Sequence, residues 1–168
     1  MRTLLVAANR ERSPFPVAPI GALSVASAAR VAGFEVDLID LSIVRAPARA
    51  LRTALRTNHY DAVGLSIRNL DNCLYARPRS YFDDIAWIVC ELRRASDAPL
   101  ILGGSGFSIA PREWLVRLDA DYGAVGEGEH TFVALLRRLA GKESTRGLDG
   151  VISREDVMEA RCHRCPVY

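Results

Sequence analysis

The chain has 168 residues, enough for one domain and a short tail. Hydrophobic residues make up 49% and charged residues 25%, the balance of an ordinary globular core rather than of a disordered chain. A net charge of +2 supplies no broad basic field, so nucleic acid is not an implied partner. Cys73, Cys90, Cys162 and Cys165 lack the spacing of a disulfide framework, and a chain of this size does not need one. The opening residues run straight into a strand-like stretch, and no apolar run approaches the roughly 18 residues of a membrane span. A soluble, cytoplasmic protein with no membrane partner is expected.

Short aliphatic runs alternate with longer amphipathic ones. Thr3–Ala8 is a buried-type strand. Pro19–Ala32 is helical, stopped by Gly33; Ala22, Val25, Ala26 and Ala29 share one face, small enough to lie close to a sheet. Glu35–Ile39 is a second strand. Pro47–Thr57 is a second helix with Leu51, Ala54 and Leu55 facing inward and Pro47 suited to its first turn. Ala62–Ser66 is a third strand, and residues 69–79 form a polar loop. Ser80 is expected to cap a third helix, with Asp83 completing a capping box. Ile85, Ile88, Val89 and Leu92 give this helix its buried stripe, and Cys90 reads as core beside them. Leu100–Leu102, a short helix from Pro111 to Leu118, Tyr122–Val125 and a helix over Glu129–Leu139 follow, and Val151–Ser153 is a candidate sixth, edge strand.

Strands alternating with helices imply an α/β fold, a doubly wound five-stranded parallel sheet covered on both faces. The Rossmann-like, flavodoxin-like order 2-1-3-4-5 is adopted by analogy. In such sheets ligands bind beyond the carboxyl ends of the strands. The unusual residues of this chain collect there. The loop after strand 1 carries Asn9, Arg10, Arg12, Pro14 and Pro16; that after strand 3 carries Ser66, Arg68, Asn69, Leu70 and Asp71. Gly103, Gly104, Ser105 and Gly106 follow strand 4, and Gly126, Glu127, Gly128 and Glu129 follow strand 5. Each glycine could merely serve a tight turn. Their placement on one edge favours a slot without side chains, in which a bulky group can lie against backbone.

The usual tenants of this fold are excluded. A dinucleotide site needs G-x-G-x-x-G after strand 1, but no glycine occurs there before Gly21. A flavodoxin-type FMN site needs a hydroxyl-rich phosphate loop, and a receiver domain needs acids where Asn9 and Ser66 stand. There is no G-x-x-x-x-G-K-[ST] and no G-x-S-x-G.

The remaining pattern resembles the N-terminal cobalamin-binding domain of B12-dependent radical S-adenosylmethionine enzymes. The matching stretches are Pro19-Ile20-Gly21-Ala22-Leu23, Gly33-Phe34-Glu35-Val36 with Asp40, Val63-Gly64-Leu65-Ser66, Leu102-Gly103-Gly104-Ser105-Gly106, and Asp121-Tyr122-Gly123-Ala124-Val125-Gly126-Glu127-Gly128-Glu129. They arrive in the family's order and cover roughly residues 1–155. The resemblance implies cobalamin at the carboxyl edge, its nucleotide tail beside strands 3 to 5. It implies that Ser66 hydrogen-bonds the tail and that Gly103, Gly104, Ser105 and Gly106 belong to the slot. Gly126, Glu127 and Gly128 would close the pocket near the corrin side chains, and Arg68, Asn69, Leu70 and Asp71 would approach the corrin face. Methionine-synthase-like relatives carry D-x-H-x-x-G after strand 1, but this loop has no histidine. Base-off cobalamin without a histidine ligand is therefore expected.

Radical chemistry of this family needs a C-x-x-x-C-x-x-C motif for a four-iron cluster, which is absent here. Cys162 and Cys165 form a lone C-x-x-C that can hold neither that cluster nor a structural zinc. The resemblance thus implies a binding domain over residues 1–142, then an edge strand and linker over 143–168. A C-terminal domain holding S-adenosylmethionine and the cluster would follow, and a methyl group would pass to a small-molecule substrate. A free-standing cobalamin carrier or sensor, and a flavodoxin-like interaction module without corrin, remain open alternatives at this point.

Overall fold

The computed structural model describes residues 1–72 and 75–162; Cys73, His163 and Cys165 lie outside them. The elements are β1 (Arg2–Ala7), α1 (Ile20–Val31), β2 (Glu35–Asp40), α2 (Pro47–Thr57), β3 (Ala62–Ser66), α3 (Phe82–Ala95), β4 (Leu100–Gly103), α4 (Ser105–Ile109), α5 (Pro111–Arg117), β5 (Tyr122–Ala124), α6 (Gly128–Gly141), β6 (Val151–Ser153) and α7 (Arg154–Cys162). The strands form one sheet in the order β2-β1-β3-β4-β5-β6. The first five are parallel and β6 joins antiparallel to β5. This is the flavodoxin-like order with an edge strand added. Among the described residues no helix is long and apolar enough to cross a membrane.

The two faces of the sheet are packed differently. Leu4, Val6, Val63, Leu65, Leu100 and Leu102 point to one side, where Leu51 and Leu55 of α2, Ile85 and Ile88 of α3, and Leu115 of α5 meet them. Fully burying each such side chain contributes roughly 1.5–3 kcal/mol. Leu5, Ala7, Ala62 and Ile101 point to the other side, under Ala22, Ala26 and Ala29 of α1 and Phe132, Leu135 and Leu136 of α6. Because the α1 stripe is alanine, the helix lies close to the sheet at Ala26 and Ala29.

Four local expectations are corrected. No capping box with Asp83 forms at α3: the helix starts after Tyr81, whose N–H donates to the Leu70 carbonyl at 2.8 Å, while Ser80, bridged to Asp71, accepts the Phe82 N–H at its hydroxyl at 3.2 Å. Cys90 is exposed, because it lies past the edge of the Ile85–Val89–Leu92 stripe. Glu91 is buried instead, paired with Arg52 of α2 at 2.7 Å and with Arg94 at 3.3 Å. The loop expected after β4 contains α4, and the linker expected after β6 begins as α7, whose Val157 is buried in the α2–α3–α5 core.

Candidate functional site

At the carboxyl edge, α1 and the sheet part around a cavity of about 400 Å³. Sheet register orders its floor. The inner row is Leu5, Gly64 and Ile101, and the next row outward is Ala7, Ser66 and Gly103. Ala22 and Val25 of α1 cover one side, and the Phe132 ring of α6 closes the inner end. A side chain at Gly64 would strike Leu5 and the Phe132 ring, at 2.7 and 3.2 Å. The cavity therefore grades from aliphatic and aromatic inside, through one hydroxyl at Ser66, to Asn9, Arg68, Ser105, Glu127 and Glu129 toward the mouth.

The loops at the mouth are stitched together. Gly104 has φ +97°, and its missing Cβ would lie 2.5 Å from the Ile67 carbonyl oxygen. The Gly106 N–H donates to that same carbonyl at 2.9 Å, and the Ser105 hydroxyl donates to the Arg68 carbonyl at 2.9 Å. Ser108 joins the next loop: its hydroxyl donates to the Gly104 carbonyl at 3.1 Å and accepts from the Gly126 N–H at 3.0 Å. Gly104 and Gly106 thus serve backbone-to-backbone contact between loops, and Gly104 lines the cavity as well. Gly103 meets only ordinary contacts and Gly126 faces open space.

Of the residues singled out from sequence, Ser66, Arg68, Gly103, Gly104, Ser105, Gly126, Glu127 and Gly128 line the cavity. Gly106 is buried behind the strand 3 loop. Leu70 packs toward the α2–α3–α5 core, and Asp71 sits in its bridge with Ser80. Asn69 borders a second, polar cavity of about 140 Å³ beside Arg68, Arg10, Glu11 and Tyr81. There the Glu11 carboxyl is held below its ordinary range by the Ser13 and Arg12 amides, despite some desolvation, with help from the Tyr81 hydroxyl. Arg10 and Arg79 both pair with Asp84. Arg68 is exposed, and no side-chain partner holds it among the described residues. The site residues that sequence reasoning missed are Gly64, Val25, Ser108 and Phe132; the small-residue face of α1 was the available signal.

No histidine lines the cavity among the described residues. His59 lies exposed at the opposite edge, 3.7 Å from Asp61, and His130 is exposed on α6.

Comparison with known proteins decides the family. A profile of the B12 binding domain matches residues 7–136, a span that contains every residue lining the cavity except Leu5. The chain belongs to the B12-binding domain family. This B12-binding domain is 32% identical over 133 residues to tryptophan 2-C-methyltransferase of Streptomyces laurentii, covering 78% of the chain and 22% of that relative. It also matches the radical S-adenosylmethionine methyltransferase TsrM from Kitasatospora setae, solved with tryptophan and an S-adenosylmethionine analogue, at a TM-score of 0.86 and 29% identity over 90% of the chain. TsrM has also been solved with cobalamin and a four-iron, four-sulfur cluster bound, and matches equally well. The cobalamin-dependent radical enzyme OxsB, at 20% identity and a TM-score of 0.69, shares the fold. The chain spans 28% or less of the length of these relatives.

The residues of the B12-binding domain fit the group its family is named for. The trench is open rather than plugged by its own side chains, and a volume of about 400 Å³ lies within the roughly 300–1,000 Å³ range of small-molecule sites. Its apolar inner end suits a flat aromatic base, and its polar mouth suits amides.

Proposed function

We propose that this domain holds cobalamin base-off, with the nucleotide tail in the trench under α1 and no histidine on cobalt, as the front module of a radical S-adenosylmethionine methyltransferase. The observation that carries the reading is the trench itself, open at the carboxyl edge and without a lining histidine among the described residues. The likeness to TsrM and to the tryptophan methyltransferase supports methyl transfer as the reaction class. Residues 1–142 form the binding body, and residues 143–168 carry β6 and α7 onward. Because this sequence lacks the C-x-x-x-C-x-x-C motif, the cluster and S-adenosylmethionine belong to a C-terminal partner domain, in line with the greater length of the relatives. The small-molecule substrate would be acted on there.

Within the chain the roles divide by depth. The Ser66 hydroxyl, with no partner among the described residues, is placed to donate to or accept from the tail. The first turn of α1 has neither a side-chain cap nor an acidic residue, so its N–H groups suit the tail's phosphate. Gly103, Gly104 and Ser105 give the tail a wall of backbone, with Gly106 packed behind it. Gly126, Glu127 and Gly128 flank the corrin's amide side chains, for which the Glu127 carboxylate is an acceptor. Arg68, with Asn69 beside it, would approach the corrin face from the mouth of the trench; Leu70 and Asp71 hold that loop from behind. When bound, the corrin supplies methyl-carrier chemistry; the protein supplies binding and orientation.

The test is to load the chain with hydroxocobalamin, pass it through gel filtration and reduce the retained pigment to the cobalt(II) state. Retention with a paramagnetic resonance spectrum free of nitrogen splitting is expected. Loss of the pigment, or a nitrogen ligand on cobalt, would overturn the assignment.

A further inference from the structure

The depth profile of the trench says more than that a tail fits; it says which tail. Cobalamin-type cofactors differ in the base at the end of the nucleotide, and some bases are nearly apolar while others carry amines and ring nitrogens on several edges. The inner end of the trench is formed by Leu5, Gly64 and Ile101 in one row of the sheet, with Val25 above and the Phe132 ring behind. None of these side chains donates or accepts a hydrogen bond. The backbone groups of that row are already paired along the β1–β3–β4 ladder. Ser66, the single hydroxyl on the floor, stands one row outward, and Asn9 and Arg68 stand beyond the strand ends.

We infer that the domain selects cofactors with a benzimidazole-type base and discriminates against those ending in a purine. This rests on the reading that the tail occupies the trench. A benzimidazole exposes ring carbons and methyl groups to Val25, Ile101 and Phe132, and its outward nitrogen reaches the Ser66 level. An adenine at the same depth places its exocyclic amine and inner ring nitrogens against aliphatic groups. Each polar group stripped of water and left unpaired costs about tenfold or more in affinity. Phe132 is the specificity-determining wall: it is 3% exposed and closes the inner end, so the amine cannot extend through to solvent.

The experiment titrates the purified chain with cobalamin, with its adenine-tailed analogue and with cobinamide, which has no base, and follows the corrin's visible absorbance. Cobalamin is expected to bind at least about tenfold more tightly than the adenine form, with cobinamide weaker than cobalamin. Equal or tighter binding of the adenine form overturns the selectivity while leaving the corrin site intact. Cobinamide binding as tightly as cobalamin shows that the trench holds no tail. Failure of all three corrins overturns the underlying assignment as well.

Discussion

Gly104→Ala is the perturbation that tests how the mouth of the trench is built. Gly104 has φ +97° and ψ 169°, a region essentially reserved for glycine. Forcing alanine into it costs about 1–3 kcal/mol. The new Cβ would also lie 2.5 Å from the Ile67 carbonyl oxygen and 3.0 Å from the Ile67 carbonyl carbon and nitrogen. These are backbone atoms, so no rotamer change relieves the clash. The Ile67 segment must move, although its N–H donates to Gly103 at 2.7 Å and its carbonyl accepts from Gly106 at 2.9 Å. Losing one of those bonds adds about 1 kcal/mol. The total is on the order of 3 kcal/mol, against a typical domain stability of about 5–15 kcal/mol. In thermal unfolding this is a fall of about 6–12 °C for a chain of this size. Gly21→Ala is the control: nothing lies within 4 Å of its Cβ position and its φ is ordinary. In the first turn of α1 that change is expected to be neutral or to stabilise by up to about 1 kcal/mol. Urea titration of both variants is the assay. A loss of under about 1 kcal/mol for Gly104→Ala would show that the β3 and β4 loops are not locked by backbone contact.

Two further outcomes are expected. Ser66→Phe places a ring into the open trench from a half-buried position; it should reduce cobalamin retention on gel filtration while shifting the urea midpoint by no more than about 1 kcal/mol of stability, and undiminished retention would place the tail elsewhere. Burial, then the hydrogen bond to the Asp37 carboxylate, push the Tyr60 phenol up to about 12. A group whose folded pKa is raised stabilises fully below its unfolded value of about 10 and loses that stabilisation as pH rises through the folded one. Thermal stability should therefore decline between about pH 10 and 12 more steeply in the wild type than in Tyr60→Phe, with phenolate absorbance reporting the late ionisation.

Much of the site was legible in the chain because βα alternation carries its own geometry. Once Ala62–Ser66 and Leu100–Leu102 read as parallel strands, the segments after them had to emerge on one edge, and that edge held the glycines. Histidine's absence from the loop after β1 was equally plain. Less legible were residues whose role depends on a distant partner. Cys90 and Glu91 are neighbours on α3, and helical spacing alone misassigned the first; Glu91 is buried because Arg52 of α2 meets it. Ser80 does accept the first N–H of α3, at Phe82, but its bridge to Asp71 was not legible.

By itself the amino-acid order determined the fold class, the succession of strands from the first to the sixth, and the edge at which a ligand could enter. These follow from periodicity and turn chemistry, which act over a few residues. The tertiary structure alone decided that Gly104 and Gly106 serve loop contact, that Ser108 joins the β4 and β5 loops, and that Phe132 ends the trench against Gly64. Such facts depend on which distant backbone arrives beside which, and side-chain spacing along a single strand or helix carries no record of that.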